Sequence, residues 1–179
     1  MKKLLLAMAI GLAFAPAAFA DDKVRAHLSG RQEVPYVSTP ATGLLEAVIN
    51  RDGTAIDWTL TYSGLEADST QAHIHVGQRR VNGAVVVWLC KTAATPAGAT
   101  TNICPPRAGT VSGTIFPSDV QTVTAQHFAP GELGEFIAAI RAGSAYANVH
   151  TTMSPSGEIR GQLRGRGRDD DQDEHHDRH

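Results

Sequence analysis

Several familiar chemistries are missing from this chain. It has only two cysteines, Cys90 and Cys104, and no histidine or second cysteine pair lies near them at zinc-finger spacing. It contains no Gly-x-Ser-x-Gly elbow, no phosphate-binding glycine loop and no cysteine–histidine nucleophile motif. No internal repeat is evident, which excludes a solenoid or propeller. Neither sign of charge dominates. Without Lys2 and Lys3 the 16 basic residues become 14 against 18 acidic ones, so a general nucleic-acid binder is not expected. Beyond residue 20 no apolar run is long enough for a membrane span.

What is present begins with the N-terminus. Lys2 and Lys3 precede an apolar stretch from Leu4 to Phe14, and Ala18-Phe19-Ala20 has the small-x-small form of a cleavage site. Residues 1–20 therefore read as a signal peptide, and the product as periplasmic or secreted. In such an oxidising compartment Cys90 and Cys104 read as a disulfide, with metal ligation as the alternative. Closing so short a loop stabilises the fold by roughly 3 kcal/mol in the chain-entropy account. At the other end, residues 165–179 carry clustered Asp and Glu with His175, His176 and His179. Nothing apolar follows Leu163, so this segment is expected to be a disordered, solubilising tail, with loose divalent-metal binding as its sharper reading.

Between these ends, residues 23–164 read as one domain of short strands. Ile56, Trp58, Leu60 and Tyr62 alternate with polar residues, the plainest strand signal in the chain. Arg51-Asp52-Gly53 joins that strand to Gly43–Asn50 as a hairpin. Strands are also expected at 71–76, 84–90, 109–116, 145–151 and 158–163. One helix is expected at about 131–141, where Leu133, Phe136, Ile137 and Ile140 recur at helical spacing before Gly143. The expectation is an all-β sandwich with one helix in a connection. Trp58 and Trp88 are expected in the core, and Arg79 and Arg80 in a solvated turn.

His73 and His75 fall two apart on an expected strand, so both imidazoles point to one face. His150 sits on a later strand and can converge on them if the strands are neighbours. Neutral imidazoles suit copper and zinc, so a three-histidine site is the leading reading, copper first and zinc second. The bland reading is a hydrogen-bonded polar cluster that fixes sheet pairing.

The motifs Leu28-Ser29-Gly30, Glu33-Val34-Pro35, Ala72-His73-Ile74-His75-Val76-Gly77, Asn82-Gly83, Ala145-Tyr146-x-Asn148-Val149-His150-Thr151 and Pro155-x-Gly157-Glu158-Ile159-Arg160-Gly161-Gln162-Leu163 resemble the CHRD domain. This domain was first described in chordin and is found in bacterial exported proteins. The resemblance covers nearly the whole expected domain and implies an immunoglobulin-like β-sandwich, without a firmly assigned activity.

The chain order of His73, His75, His150 and Arg160 is also similar to that of copper-zinc superoxide dismutases. That likeness implies histidine ligands and an anion-steering arginine. The stretch from Lys91 to Thr110 lacks the dismutase's zinc-loop ligands, and His127 is the one other domain histidine weighed as a bridging ligand. Glu158 is the candidate for orienting a ligand histidine, with Asn148 and Thr151 beside His150. The sequence thus favours a non-catalytic exported metal-binding module. A protein or matrix interaction module and a copper-only redox enzyme are its alternatives.

Overall fold

The computed structural model describes residues 22–92 and 102–165. The expected signal peptide, the middle of the loop after Cys90 and the tail histidines His175, His176 and His179 lie outside them. Eight strands form one antiparallel path. In chain order they are β1 (Asp22–Ser29), β2 (Thr42–Ile49), β3 (Ile56–Ser63), β4 (Ser69–Val76), β5 (Ala84–Lys91), β6 (Gly109–Ile115), β7 (Ala145–Thr151) and β8 (Ile159–Gln162). Their spatial order is β5-β4-β7-β8-β1-β2-β3-β6. A ninth strand, β9 (Arg164–Gly165), pairs with β1. The pairing thus reaches Gly165, one residue into the segment that composition assigns to the tail.

The fold is all-β with one helix, as the alternation predicts. The path is a single sheet rolled nearly into a barrel. Its two ends are tied where Lys91 bridges Ile103 and where Cys90 and Cys104 form a disulfide. The Asn102 amide also donates to the Leu89 carbonyl at 3.2 Å.

Local patterns explain the elements. On β3, Ile56, Trp58, Leu60 and Tyr62 are buried while Asp57, Thr59, Thr61 and Ser63 are exposed, the period of two that a strand with one wet face requires. Its hairpin with β2 pairs Ile49 with Ile56 and Leu45 with Leu60. Helix α1 (Leu133–Arg141) buries Leu133, Phe136, Ile137 and Ile140 against the core. It stops where the Gly143 amide donates to the Ile140 carbonyl at 2.9 Å.

Strands β4, β7 and β8 differ from β3, because they are buried on both faces. All seven residues of β7 are buried. One face of the three strands joins the apolar core through Ala72, Ile74, Ala145, Ala147, Val149 and Ile159. The other carries polar side chains, covered by chain before β2 and by the turn between β4 and β5. Trp58 lies in the core, as expected, but Trp88 does not. It is half-buried and paired in register with His73 on the polar side. An unbroken apolar run such as 84–90 cannot reveal which face of its strand meets the core.

Candidate metal centre

Alternation along β4 sends Ala72 and Ile74 inward, so His73 and His75 share the opposite face. Alternation along β7 does the same for Tyr146, Asn148 and His150. Because β4 and β7 pair antiparallel, His73 lies opposite Asn148, His75 opposite Tyr146 and Gln71 opposite His150. The pairing that the sequence left open is therefore formed. One ligand nitrogen from each of His73, His75 and His150 lies within 4.8 Å of the other two. The ring centroid of His73 is 5.5 Å from that of His75 and 4.9 Å from that of His150.

All three rings are buried, at 2%, 7% and 7% exposure respectively. Burial disfavours the charged imidazolium and is the main reason their pKa values fall. That of His73 drops to about 2, helped by repulsion from His150 and His75. That of His75 drops to about 4. That of His150 is lowered, though its bond to Pro155 works the other way. The cluster is therefore neutral at physiological pH, the form in which imidazole ligates metals.

Backbone carbonyls fix two of the rings. His75 Nδ1 lies 3.0 Å from the Gly83 carbonyl, and His150 Nδ1 lies 2.9 Å from that of Pro155. A neutral imidazole has one N–H, so donation from Nδ1 leaves the Nε2 lone pair on each ring. Gly83 carries no side chain because a Cβ there would collide with the Val76 carbonyl on the neighbouring strand end. Nε2 of His150 has no hydrogen-bond partner, and neither nitrogen of His73 has one. Nε2 of His75 lies 3.0 Å from Asn148 Oδ1, an acceptor, so with Nδ1 donating to Gly83 the Asn148 amide must turn its N–H toward the ring. A ligand role for that nitrogen requires the amide to give way.

The remaining polar side chains form a second cluster alongside. The Tyr146 ring stacks on His75, and the Arg160 guanidinium lies 3.4 Å from the Tyr146 centroid. Arg160, 1% exposed, donates to the Asn82 side chain and to the carbonyls of Gln78 and Val81 at 2.9–3.2 Å. Gln162 donates to the Gly77 and Gly143 carbonyls.

Glu158 is placed differently from its expected role. Its oxygens accept from Thr39, Thr151 and the Glu66 amide at 2.8–2.9 Å, so it ties the covering segment to the sheet and orients no histidine. It makes no ion pair with Arg160 among the described residues. His127 is exposed and stands apart from the cluster.

Sequence reasoning passed over Glu33, which appeared only within a family motif, and the contacts of Asn148 and Tyr146 with His75. The shared parity of positions 146, 148 and 150 was the signal that could have found the last two.

The model of the CHRD domain family matches residues 24–163. No curated protein and no solved structure matches the chain, so the dismutase likeness rests on motif order alone.

Proposed function

The chain belongs to the CHRD domain family, and we propose that it is an exported module of that family in which His73, His75 and His150 bind one metal ion, copper. Family membership and the intramolecular disulfide both fit an exported protein.

The observation that carries the metal reading is the state of His73. Neither of its buried nitrogens makes a well-formed hydrogen bond, the Asn148 side chain opposite it giving only a weak polar contact, and the Nε2 of His150 beside them is bare. Each such group costs on the order of 1–3 kcal/mol if nothing satisfies it. A cluster serving only to fix strand pairing by hydrogen bonds would not leave its central ring without one. A cation among the three nitrogens satisfies them together. The anchoring of His75 and His150 through Nδ1 is the support that metal-bound histidines ordinarily have.

Three neutral nitrogen ligands with no thiolate or carboxylate favour copper over zinc through the stability order of divalent ions. Holding the ion requires no turnover, and the proposal assigns binding alone.

The test is titration of the mature chain with copper and with zinc. A His175/His176/His179→Ala variant removes metal binding by the tail, and a further His73/His75/His150→Ala variant serves as control. One-to-one binding by the first variant, lost in the second with the circular dichroism spectrum kept, is the expected result. Equal binding by both would overturn the site.

A further inference from the structure

Beside the histidine cluster, on the far side of Arg160, lies a separate pocket of about 370 Å³. Four arginines line it, Arg31, Arg79, Arg80 and Arg160, against a single carboxylate, Glu33. This local excess of positive charge stands out in a chain of net charge −2.

The pocket is built from the fold's own bonds. Buried Arg160 forms its floor and grips the carbonyls of Gln78 and Val81, the two residues that flank Arg79 and Arg80. The amide of Asn82 donates to the Val34 carbonyl at 3.1 Å and so joins the two walls. On the opposite wall stand Val34, Pro35 and the ring of Tyr36, which is 62% exposed.

Glu33 is the one carboxylate on the pocket's lining, and it lies within electrostatic reach of Arg160 and beside the Asn148 side chain. It is 6% exposed, it lines the pocket, and its Oε1 has no hydrogen-bond partner. Such an acceptor is satisfied by a water at the pocket's edge, so the anion's place is beside the arginines and away from Glu33.

Guanidinium groups present paired N–H donors that match the oxygens of carboxylates and phosphates. The volume lies in the lower part of the range for small-molecule sites.

We propose that this pocket binds a small organic oxyanion, its charged group held by Arg31 and Arg80 above Arg160 and its apolar body set against Val34, Pro35 and Tyr36. The site is distinct from the histidine cluster and does not depend on a metal.

Calorimetric titration of the mature chain in metal-free, chelator-treated buffer at constant ionic strength tests it. The probes are phenyl phosphate, benzoate and inorganic phosphate. Saturable one-to-one binding of phenyl phosphate or benzoate is expected. In Arg31→Gln/Arg80→Gln, two exposed positions, affinity should fall at least tenfold. A Lys23→Gln/Arg107→Gln variant, with the same loss of charge away from the pocket, should bind within twofold of the parent. The His73/His75/His150→Ala variant should bind as the parent does, which separates this pocket from the metal site.

No saturable binding of either aromatic anion would overturn the proposal. So would an equal loss in the remote-charge variant, which would reveal attraction to net charge only. Inorganic phosphate binding as tightly as phenyl phosphate, with Tyr36→Ala unchanged, would overturn the assignment of the apolar wall.

Discussion

The ring of Tyr146 lies parallel to that of His75, with 2° between the planes and 4.6 Å between centroids. The strand order β4-β7-β8 sets Tyr146 between His75 and Arg160, whose guanidinium covers it at 3.4 Å. The tyrosine hydroxyl also accepts from the Gly83 amide at 3.2 Å, and the carbonyl of that same glycine holds His75. One aromatic side chain thereby braces a candidate ligand, a buried cation and the turn between β4 and β5.

Two substitutions at Tyr146 should therefore separate. Tyr146→Phe keeps the ring and loses one hydrogen bond, at a cost of about 1 kcal/mol. Tyr146→Ala empties the space between His75 and Arg160 and should cost about 3–5 kcal/mol. Urea unfolding of the two variants measures the difference, and similar midpoints would contradict the bracing role.

Trp88 gives an optical reporter. Its ring meets His73 edge-on at 4.2 Å, whereas Trp58 lies in the apolar core. Copper(II) quenches nearby indole emission and zinc does not. Copper added to the tail-histidine variant should quench a large part of the fluorescence, and Trp88→Phe should remove that response. Quenching that survives in Trp88→Phe would place the ion elsewhere.

Acid should destabilise the metal-free domain. The three histidines have folded pKa values below the unfolded value of about 6.5, so their contribution is intact above that pH and is lost as the pH falls below it. The loss for His75 is complete near pH 4, and for His73 it extends to about 2. Glu33 acts in the opposite sense. Burial raises its pKa from 4.5 to about 7, so its contribution is intact below pH 4.5 and is lost as the pH rises through 7. Each group contributes a slope of at most about 1.4 kcal/mol per pH unit. His73 and His75 against Glu33 leave a net loss on acidification between pH 6.5 and 4.5, and His150 adds to it in the same direction. Unfolding at pH 7 and at pH 5 should show it, and the His73/His75/His150→Ala variant should reverse its sign.

Removing the disulfide should cost roughly 3 kcal/mol, since Cys90 and Cys104 enclose a loop with a sequence separation of 14. A Cys90→Ser/Cys104→Ser variant should show this in its unfolding midpoint. Metal affinity should change little, because the disulfide joins β5 to the approach to β6. A large loss of copper binding would link that seam to the histidines.

The features legible in the sequence were those whose signal is local. Alternation on β3, the spacing within α1 and the shared parity of His73 and His75 each follow from a few neighbouring residues. The convergence of His150 needed the β4–β7 pairing, and the CHRD motifs only hinted that both segments matter together. The covering layer was not legible. His75 meets Asn148 across 73 positions, and Thr39 meets Glu158 across 119. Alternating polar residues on β7 and β8 look like a wet face unless one knows that an aperiodic segment closes over it. Gly157 is the clearest case. With φ +120° it carries no side chain because a Cβ would strike Glu33 Oε1, a neighbour 124 positions away. Glu158 and Trp88 were misplaced for the same reason, since their roles are decided by which face is covered.

The short strand β9 has one more implication. Val24 pairs with Gly165 and Arg25 with Arg164, so the first and last described strands lie side by side, about 5 Å apart as neighbouring strands are. A unit whose entrance and exit adjoin can be spliced into a surface loop of a host protein without stretching either partner. The same adjacency allows circular permutation, with a short linker joining 165 to 22 and new ends opened at the exposed Arg51–Asp52 turn.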